Sequence, residues 1–456
     1  MSKQTVDLVV KNGKIVTSYD IFEGGVAIDE GKIVLVAKDS LLPNADNVVD
    51  AKGNFILPGI VDVHVHVQDP GFPQRDDFEW ASKAAAAGGV TTFMDMPTNV
   101  PPTTTVKAFN EKKELAEKNS IVDFALWGAP DPDNLENLKK LAEAGAVGFK
   151  GFMTKSVILK GLDTGTLLET FKVVKETGRF ISVHAENGEI IALYTEKLKK
   201  AGRKDYKAIA EARPKIAELE ATSRAVLMAK EAGNKLYIVH MSTPDALPFV
   251  VNARKEGYEI YAETCPHYLF FTKEDHDKLG GAGIMFPPLR DKEDVSGLWE
   301  AVRDGRISVI SSDHSPCTLE EKNREVWDVI AGATGIETML RVILSEGVNK
   351  GRITLNRLVQ VMAETPARFF GVYPRKGVIQ VGSDGDLTIV DLKAEEKITI
   401  DKLHYKAKYT PFEGYTLKGK PIVTIVRGEI VAKDGEIYGK PGYGQFIPYQ
   451  EYKPSV

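Results

Sequence analysis

Four histidines and one aspartate each stand at the end of an apolar, strand-like run in the middle of the sequence. They are His64, His66, His184, His240 and Asp313. In a β-strand, residues i and i+2 point to the same side, so His64 and His66 can present two imidazoles to one metal ion. A lone histidine at a strand end is commonly structural. Repetition over four strands instead predicts a metal site made of imidazoles and a carboxylate.

A lysine stands at a further strand end. Lys150 follows the apolar run Ala146–Phe149. A lysine is costly to bury in a dry site, and the ordinary outcome is a pairing with Asp or Glu. A lysine amine that has reacted with CO₂ becomes an anionic carbamate, whose two oxygens can bridge two divalent ions about 3.5–4 Å apart. The spacing leaves both interpretations open.

These side chains need elements that bring distant strand ends together. Between residues 56 and 374, β-branched runs alternate with helix-like segments, several of which end at glycine, as helix C-termini prefer. The candidate strands are Ile60–His66, Thr91–Met96, Ile121–Trp127, Val147–Phe152, Phe180–Ala185, Lys235–His240, Tyr258–Thr264 and Ser308–Asp313. Continuously apolar strands are buried on both faces, so the pattern predicts an α/β fold, a (β/α)₈ TIM-like barrel with its site at the carboxyl ends of the strands.

The two ends of the chain have a different sequence pattern, which is typical of short alternating strands joined by tight turns. Asn12-Gly13, between Leu8–Lys11 and Lys14–Val16, predicts a two-residue hairpin, because both central residues of a type I′ turn need positive φ. Similar turns are predicted at Glu30-Gly31 and Asp434-Gly435. We expect residues 1–55 and 375–456 to form one composite β-sandwich domain and residues 56–374 to form the barrel.

Composition excludes several classes of function. The 456 residues carry 59 Lys+Arg against 64 Asp+Glu, and no basic block would follow a phosphate backbone, so no nucleic-acid partner is expected. No apolar run approaches the about 20 residues that span a bilayer, so no membrane partner is expected either. The amino terminus lacks the pattern of a secretory signal, and only Cys265 and Cys317 are present. These features predict a cytoplasmic protein.

Several motifs together resemble those of the cyclic amidohydrolases, the hydantoinases, dihydropyrimidinases, allantoinases and dihydroorotases. The resemblance rests on His64-x-His66, Gly148–Lys150, Val183–Glu186, Ile238–His240 and Ser312–Pro316, framed by Leu57–Gly59 and Gly382–Leu387. It extends over essentially the whole chain. Such enzymes have a metal-dependent barrel with a small β-sandwich, so the resemblance implies the same fold here and a homo-oligomer, a tetramer or a dimer.

The resemblance also implies a role for each candidate ligand. His64 and His66 would hold the more buried of two divalent ions, His184 and His240 the more exposed one, N6-carboxylysine at Lys150 would bridge both, and Asp313 would ligate the first. Asp313 would also be catalytic, accepting a proton from the attacking hydroxide and passing it to the leaving ring nitrogen. Zn suits these ligands, although Mn, Co or Fe also accept them.

The choice of substrate ring is less determined. Dihydroorotases typically have Arg where this chain has Gln68, and without it the substrate carboxylate would be unpaired. Met96-Pro97-x-Asn99 and Ser312–Cys317 resemble allantoinases, although Arg75–Asp77 replaces their Trp-Glu-Gly. Lys155 stands where D-hydantoinases generally have Tyr, as in allantoinases or L-type hydantoinases. The expected order is allantoin hydrolysed to allantoate, then a 5-substituted hydantoin as in hydantoinases and dihydropyrimidinases, then dihydroorotate.

Four further residues are candidates for binding this small cyclic ureide. Asn99, Thr154 and Ser156 could hydrogen-bond a ring carbonyl or N–H, or they could cap loops. Gly332 is implied by the resemblance to bring backbone groups to the ring imide, since glycine allows close approach. Two other classes of function agree less well with these residues. A non-catalytic scaffold would lack ligands, whereas all six positions are filled, and a mononuclear deaminase would not require Lys150.

Overall fold

Both ends of the chain contribute to one nine-stranded sheet. The structure, a computed structural model, describes residues 5–156 and 158–452. The strands of this sheet are β1 (Val6–Val16), β2 (Ile21–Asp29), β3 (Lys32–Ala37), β4 (Ala45–Asp50), β5 (Phe55–Pro58), β14 (Leu387–Lys397), β15 (Thr416–Val426), β16 (Glu429–Lys433) and β17 (Glu436–Ile437).

Strand β5 joins the amino-terminal and carboxy-terminal strands. It pairs in parallel with β1 and antiparallel with β14. Buried apolar side chains from both ends share one cluster, among them Leu8, Ile28, Leu387 and Ile425. The two termini therefore share one apolar cluster and one continuous hydrogen-bonded sheet, and the composite β-sandwich domain with bounds at 55 and 375 stays a prediction.

Eight parallel strands occupy the middle of the chain in two sheets, one of three and one of five strands. They are β6 (Ile60–Val65), β7 (Val90–Asp95), β8 (Asp123–Leu126), β9 (Gly148–Phe152), β10 (Phe180–His184), β11 (Lys235–Ile238), β12 (Ile260–Thr264) and β13 (Val309–Ile310). Parallel bridges join the two sheets at both edges, between Gly128 and Phe149 and between Val65 and His314. The strands are thereby connected in chain order all the way round, which supports the barrel prediction.

Helices follow most of the barrel strands. They are α1 (Phe78–Ala87), α2 (Val106–Asn119), α3 (Asn137–Glu143), α4 (Thr164–Thr177), α5 (Gly188–Lys200), α6 (Lys207–Ala212), α7 (Lys215–Ala232), α8 (Leu247–Lys255), α9 (Pro266–Phe270), α10 (His276–Leu279), α11 (Lys292–Arg303), α12 (Leu319–Lys322), α13 (Met339–Val342), α14 (Leu355–Val359) and α15 (Thr365–Phe369). Two π-helical turns, Ile343–Val348 and Gln360–Glu364, continue α13 and α14.

Helix starts follow the capping chemistry of the sequence. Asp77 caps α1, its Oδ1 accepting from Trp80 N at 2.9 Å, and Asp163 caps α4 in the same way with Thr166 N at 2.8 Å. A capping carboxylate satisfies a backbone N–H that has no partner inside the helix. None of the helices in the described residues is long and apolar enough to cross a membrane.

The prediction of a hairpin turn at Asn12-Gly13 is wrong. Strand β1 runs straight through this pair, and its register with β2 shifts between Val10 and Gly13. Asn12 has a φ of 57°, so its left-handed conformation serves a bulge inside one strand. The bulge lets the first half of β1 pair with β4 and the second half with β5. The turns at Glu30-Gly31 and Asp434-Gly435 are present, with positive φ at all four residues.

Candidate metal centre and active site

His64 in β6, His66 directly after it and Asp313 beyond β13 meet at the carboxyl end of the barrel strands. Asp313 Oδ1 lies 3.3 Å from His64 Nε2 and 3.6 Å from His66 Nε2. His64 and His66 share one side of the strand, as residues i and i+2 must. Asp313 has a φ of 46°, in the left-handed region that few non-glycine residues adopt. Such strain is characteristic of a functional position held by its surroundings.

A second pair of histidines adjoins the first. His184 Nδ1 lies 3.0 Å from His240 Nε2, and the rings of His64 and His240 are 5.4 Å apart. His184 ends β10, and His240 follows β11 with a φ of 40°. The structure therefore brings all four predicted histidines and Asp313 into one cluster, although they are spread over four strands.

Lys150 lies in the same cluster and is 1% exposed. Its Nζ has no hydrogen-bond partner among the described residues. Burial lowers its pKa to about 8, which makes the neutral amine accessible. The neutral amine is the form that reacts with CO₂. A buried, unpaired lysine that lines the same cavity as the four histidines therefore fits the bridging carbamate, and the alternative pairing with Asp or Glu is not seen in the described residues.

Burial also keeps His66, His184 and His240 in the form that binds metals. It lowers the pKa of His66 to about 4 and the pKa of His184 and His240 below their usual value. Burial alone would raise the pKa of Asp313, but the neighbouring imidazoles of His64 and His66 hold it well below its usual range. Neutral imidazoles beside an ionised carboxylate are a ligand set that suits a divalent ion.

The cluster lines a cavity of about 460 Å³. Its polar side includes Gln68, Arg75 and Thr98. Its apolar wall is formed by Phe152, Ile158, Ile191, Met285, Phe286, Val329 and Ile330. A concave site that combines an apolar wall with convergent polar groups is the usual form of a small-molecule site.

Residues 55–431 match the model of the amidohydrolase family. The chain belongs to the amidohydrolase family. It is 41% identical to an L-hydantoinase of Paenarthrobacter aurescens over 98% of this chain and 99% of that protein. It is 38% identical to an allantoinase of Solibacter usitatus, over 97% and 96%, and 36% identical to a D-hydantoinase of Geobacillus stearothermophilus, over 97% of each chain.

Solved structures agree with these relatives. The L-hydantoinase (dihydropyrimidinase) from Arthrobacter aurescens superimposes with a TM-score of 0.95 at 41% identity, covering 97% of this chain and 100% of that one. A dihydropyrimidinase from Brevibacillus agri gives 0.92 at 32% identity, covering 98% and 99%. Hydantoinases are TIM-barrel amidohydrolases with a β-sandwich domain, and this chain is a cyclic amidohydrolase. The amidohydrolase family generally uses a binuclear metal centre, and the clustered residues are candidates for it.

Two carboxylates that the sequence analysis did not single out orient the histidines of this amidohydrolase. Glu263 Oε1 lies 2.8 Å from His64 Nδ1 and accepts from His240 N at 3.0 Å. Glu186 Oε2 lies 2.7 Å from His184 Nε2. The two ring contacts, at His64 Nδ1 and His184 Nε2, occupy the nitrogens opposite those nearest Asp313 and His240, which fixes the tautomer and the orientation of these two rings. The sequence contains a signal for both carboxylates, because acidic residues stand beside the candidate ligands at strand ends. Glu263 lies near the end of β12, and Glu186 lies two residues beyond His184.

Three of the four predicted substrate-binding residues line the cavity, namely Thr154, Ser156 and Gly332. Asn99 does not. Its Nδ2 donates to Asp69 O at 2.9 Å, and its Oδ1 accepts from the buried Lys112 Nζ at 2.5 Å. The Asn99 amide thus links the loop that contains Asp69 to the buried Lys112. The Lys112 ammonium needs oxygen partners, because it is buried.

Proposed function

We propose that this cyclic amidohydrolase hydrolyses the ring amide of a cyclic ureide, with allantoin to allantoate as the first candidate. The observation that carries the proposal is the convergence of four histidines, Lys150 and Asp313 in one cavity large enough for a small ring. These six residues would hold two divalent ions, for which Zn is our first choice, with N6-carboxylysine at Lys150 between them.

When bound, the ions would supply a polarised ring carbonyl and a water of lowered pKa. The chain supplies the proton path. Asp313 lines the cavity and is ionised, so it can accept the proton of the attacking water and deliver it to the leaving ring nitrogen. Glu263 and Glu186 hold the imidazoles in place, and the apolar wall limits the water around the ring.

Allantoin carries a polar ureido substituent, and the polar side of the cavity provides groups that can bind it. Gln68, Arg75 and Thr98 bring amide, guanidinium and hydroxyl groups to that side. Relatives named allantoinase support the same assignment.

A second candidate is a hydantoin with an apolar 5-substituent. It is favoured by the apolar wall and by the 41% identity to a protein named L-hydantoinase. Dihydroorotate ranks third, because Gln68 provides no charge for its carboxylate and the neighbouring Arg75 is already paired with Glu321.

The deciding experiment compares four rings on the purified protein, loaded with divalent metal in the presence of bicarbonate. Ring opening of allantoin, 5-benzylhydantoin, dihydrouracil and dihydroorotate is measured side by side. We expect allantoin to give the highest kcat/KM. A preference for 5-benzylhydantoin would select the second candidate, and no ring opening of any substrate would contradict the proposal.

An Asp313→Asn variant tests the proton path in the same assay. Turnover should nearly vanish, because the amide cannot carry the proton, while metal analysis should still find bound ions. Full activity in this variant would show that Asp313 is not the catalytic residue.

Light scattering on the purified wild-type protein tests the proposed homo-oligomer. A monomer mass would contradict it.

A further inference from the structure

Arg75, in the loop between β6 and α1, lines the cavity together with Gln68 and Thr98. Glu321, from α12, holds the Arg75 guanidinium in place. Arg75 Nε lies 2.9 Å from Glu321 Oε2, and Arg75 Nη2 lies 2.6 Å from Oε1. The guanidinium also covers the ring of Phe72, with Cζ 4.3 Å from the ring centroid. The guanidinium group is thus held along one edge by Glu321 and on one face by the Phe72 ring, so it has little freedom to reorient.

One nitrogen of this guanidinium remains available. Arg75 Nη1 makes only a long contact, 3.4 Å, to Gln68 Oε1, and it has no other hydrogen-bond partner among the described residues. Gln68 lines the same cavity, two residues after His66, and its backbone has a φ of 69°. This left-handed conformation costs free energy in a glutamine. The structure therefore holds two side chains with N–H donors together at one point of the cavity wall.

The charge at this point is already balanced. The Arg75 and Glu321 side chains are 14% and 13% exposed, so water screens their interaction only in part. Burial would raise the pKa of Glu321, but the hydrogen bonds from Arg75 lower it, so the carboxylate stays ionised. Arg75 offers N–H donors from a pair with no net charge. A carboxylate approaching Nη1 would also meet the negative charge of Glu321, whereas a neutral carbonyl oxygen would not.

We propose that Arg75 determines specificity by binding a neutral carbonyl on the substituent of the ring, such as the oxygen of a ureido group. Gln68 contributes a second donor. Glu321 positions Arg75 and discriminates against carboxylate-bearing substituents. The proposal rests on the proposed function, because it assumes that a cyclic ureide occupies the metal centre next to these residues.

The test compares three rings that share one core, on the metal-loaded full-length protein. Hydantoin has no substituent, allantoin has a ureido group and hydantoin-5-acetic acid has a carboxylate. We expect Arg75→Met to lower the ratio of kcat/KM for allantoin to that for hydantoin by about 10- to 100-fold, the usual effect of losing a hydrogen bond to a charged group. Arg75→Lys, which keeps the charge without the fork, should restore the ratio only in part.

The variant Glu321→Gln tests directly whether Glu321 discriminates against a carboxylate on the substituent. Glutamine keeps one acceptor oxygen for Arg75 and for the cap of α12, and it leaves the guanidinium with a net positive charge. The ratio of kcat/KM for hydantoin-5-acetic acid to that for hydantoin should rise by about tenfold, since charged hydrogen bonds are roughly twice as strong as neutral ones. The matched control is Glu320→Gln, the same change at the exposed neighbouring residue, and it should leave both ratios unchanged.

Calorimetric binding of the same three rings separates this proposal from the proposed function. Ring opening with ratios that neither Arg75→Met nor Glu321→Gln alters would overturn the role of Arg75 and leave the function standing. Arg75-dependent binding of allantoin without any ring opening would support the contact and overturn the function. Absence of both opening and binding in the folded wild-type protein would overturn both.

Discussion

At the residue scale, the candidate centre depends on side chains that do not face the substrate. Glu263 accepts from three groups at once, since Tyr237 Oη donates to its Oε2 at 2.9 Å while Oε1 serves His64 and the backbone of His240. The carboxylate is fully buried. Such a network is strong when complete and costly when one member is lost, because an unpaired polar group in a low dielectric has no water to replace its partner.

The first prediction concerns this carboxylate. Glu263→Gln should lower metal affinity by about 10- to 100-fold, because an amide cannot hold the His64 and His240 groups in the same way. Competition with a chelator measures the dissociation constant. Glu259→Gln, at a half-exposed position before β12, is the control and should bind metal as the wild type does. Equal affinity in the two variants would contradict the orienting role of Glu263.

A second prediction concerns Lys322, which is 2% exposed and forms no ion pair within the described residues. Its Nζ donates to Ile330 O at 2.9 Å and to Ile284 O at 3.1 Å. Burial lowers its pKa from 10.5 to about 8. Between these values the unfolded chain holds a proton that the folded chain has released, so stability rises with pH in this window and is lowest below it.

Lys322→Met should therefore flatten the pH dependence of the free energy of unfolding. The loss of slope should be at most about 1.4 kcal/mol per pH unit, the value for one titrating group. Urea unfolding between about pH 7 and pH 10 measures it. Lys350→Met, at an exposed position, should run parallel to the wild type. Parallel curves for Lys322→Met would show that the ammonium is not desolvated as the structure indicates.

At the element scale, the bulge in β1 decides how the sheet is built. Gly13 packs against β5 so closely that an added Cβ would lie 2.4 Å from Ile56 Cδ1. A side chain at this position would force the Ile56 side chain to shift, in the strand that connects the amino-terminal half of the sheet to the rest. Glycine is therefore needed here for close approach of the chains, and not for a hairpin.

Gly13→Ala should destabilise the protein by about 1–3 kcal/mol, the usual cost of overpacking a core. Chemical denaturation measures the loss. Gly13→Ala combined with Ile56→Val should recover part of it, because the Cδ1 atom that clashes is removed. If the loss in the double variant equals the sum of the losses in the two single variants, the cost of Gly13→Ala comes from backbone conformation and not from contact with Ile56.

At the scale of the whole molecule, a buried charge cluster joins the barrel to the sheet. Lys376 Nζ lies 2.5 Å from Asp123 on β8, and 2.9 and 2.7 Å from Asp384 and Asp386, which precede β14. Burial would lower the pKa of Lys376, but the three carboxylates raise it well above its usual range, so the lysine stays charged. The cluster cross-links segments that are far apart in the chain.

Lys376→Met should cost about 3–5 kcal/mol of stability, because it leaves buried carboxylates without their cation. Thermal unfolding with metal content checked in parallel measures the effect. The control is Lys32→Met, which removes a half-exposed lysine paired with the same Asp384 and should cost no more than about 1 kcal/mol. Similar losses in both variants would mean that the buried cluster contributes no more than an ordinary surface pair.

The sequence by itself determined the alternation of strands and helices, the six candidate ligands at strand ends, and the resemblance to the cyclic amidohydrolases. These features are local, because strand periodicity and the residue at a strand end are readable from neighbouring positions. All eight predicted barrel strands are present, within a few residues of the expected bounds.

Only the tertiary structure decided which polar groups pair across the chain. Arg75 and Glu321 are 246 residues apart, and Lys112 takes the amide of Asn99 away from the cavity. The bulge at Asn12 likewise depends on which strands lie on either side of β1. Each outcome follows from the requirement that a buried charge or backbone group find a partner, and the available partners are known only once the chain has folded.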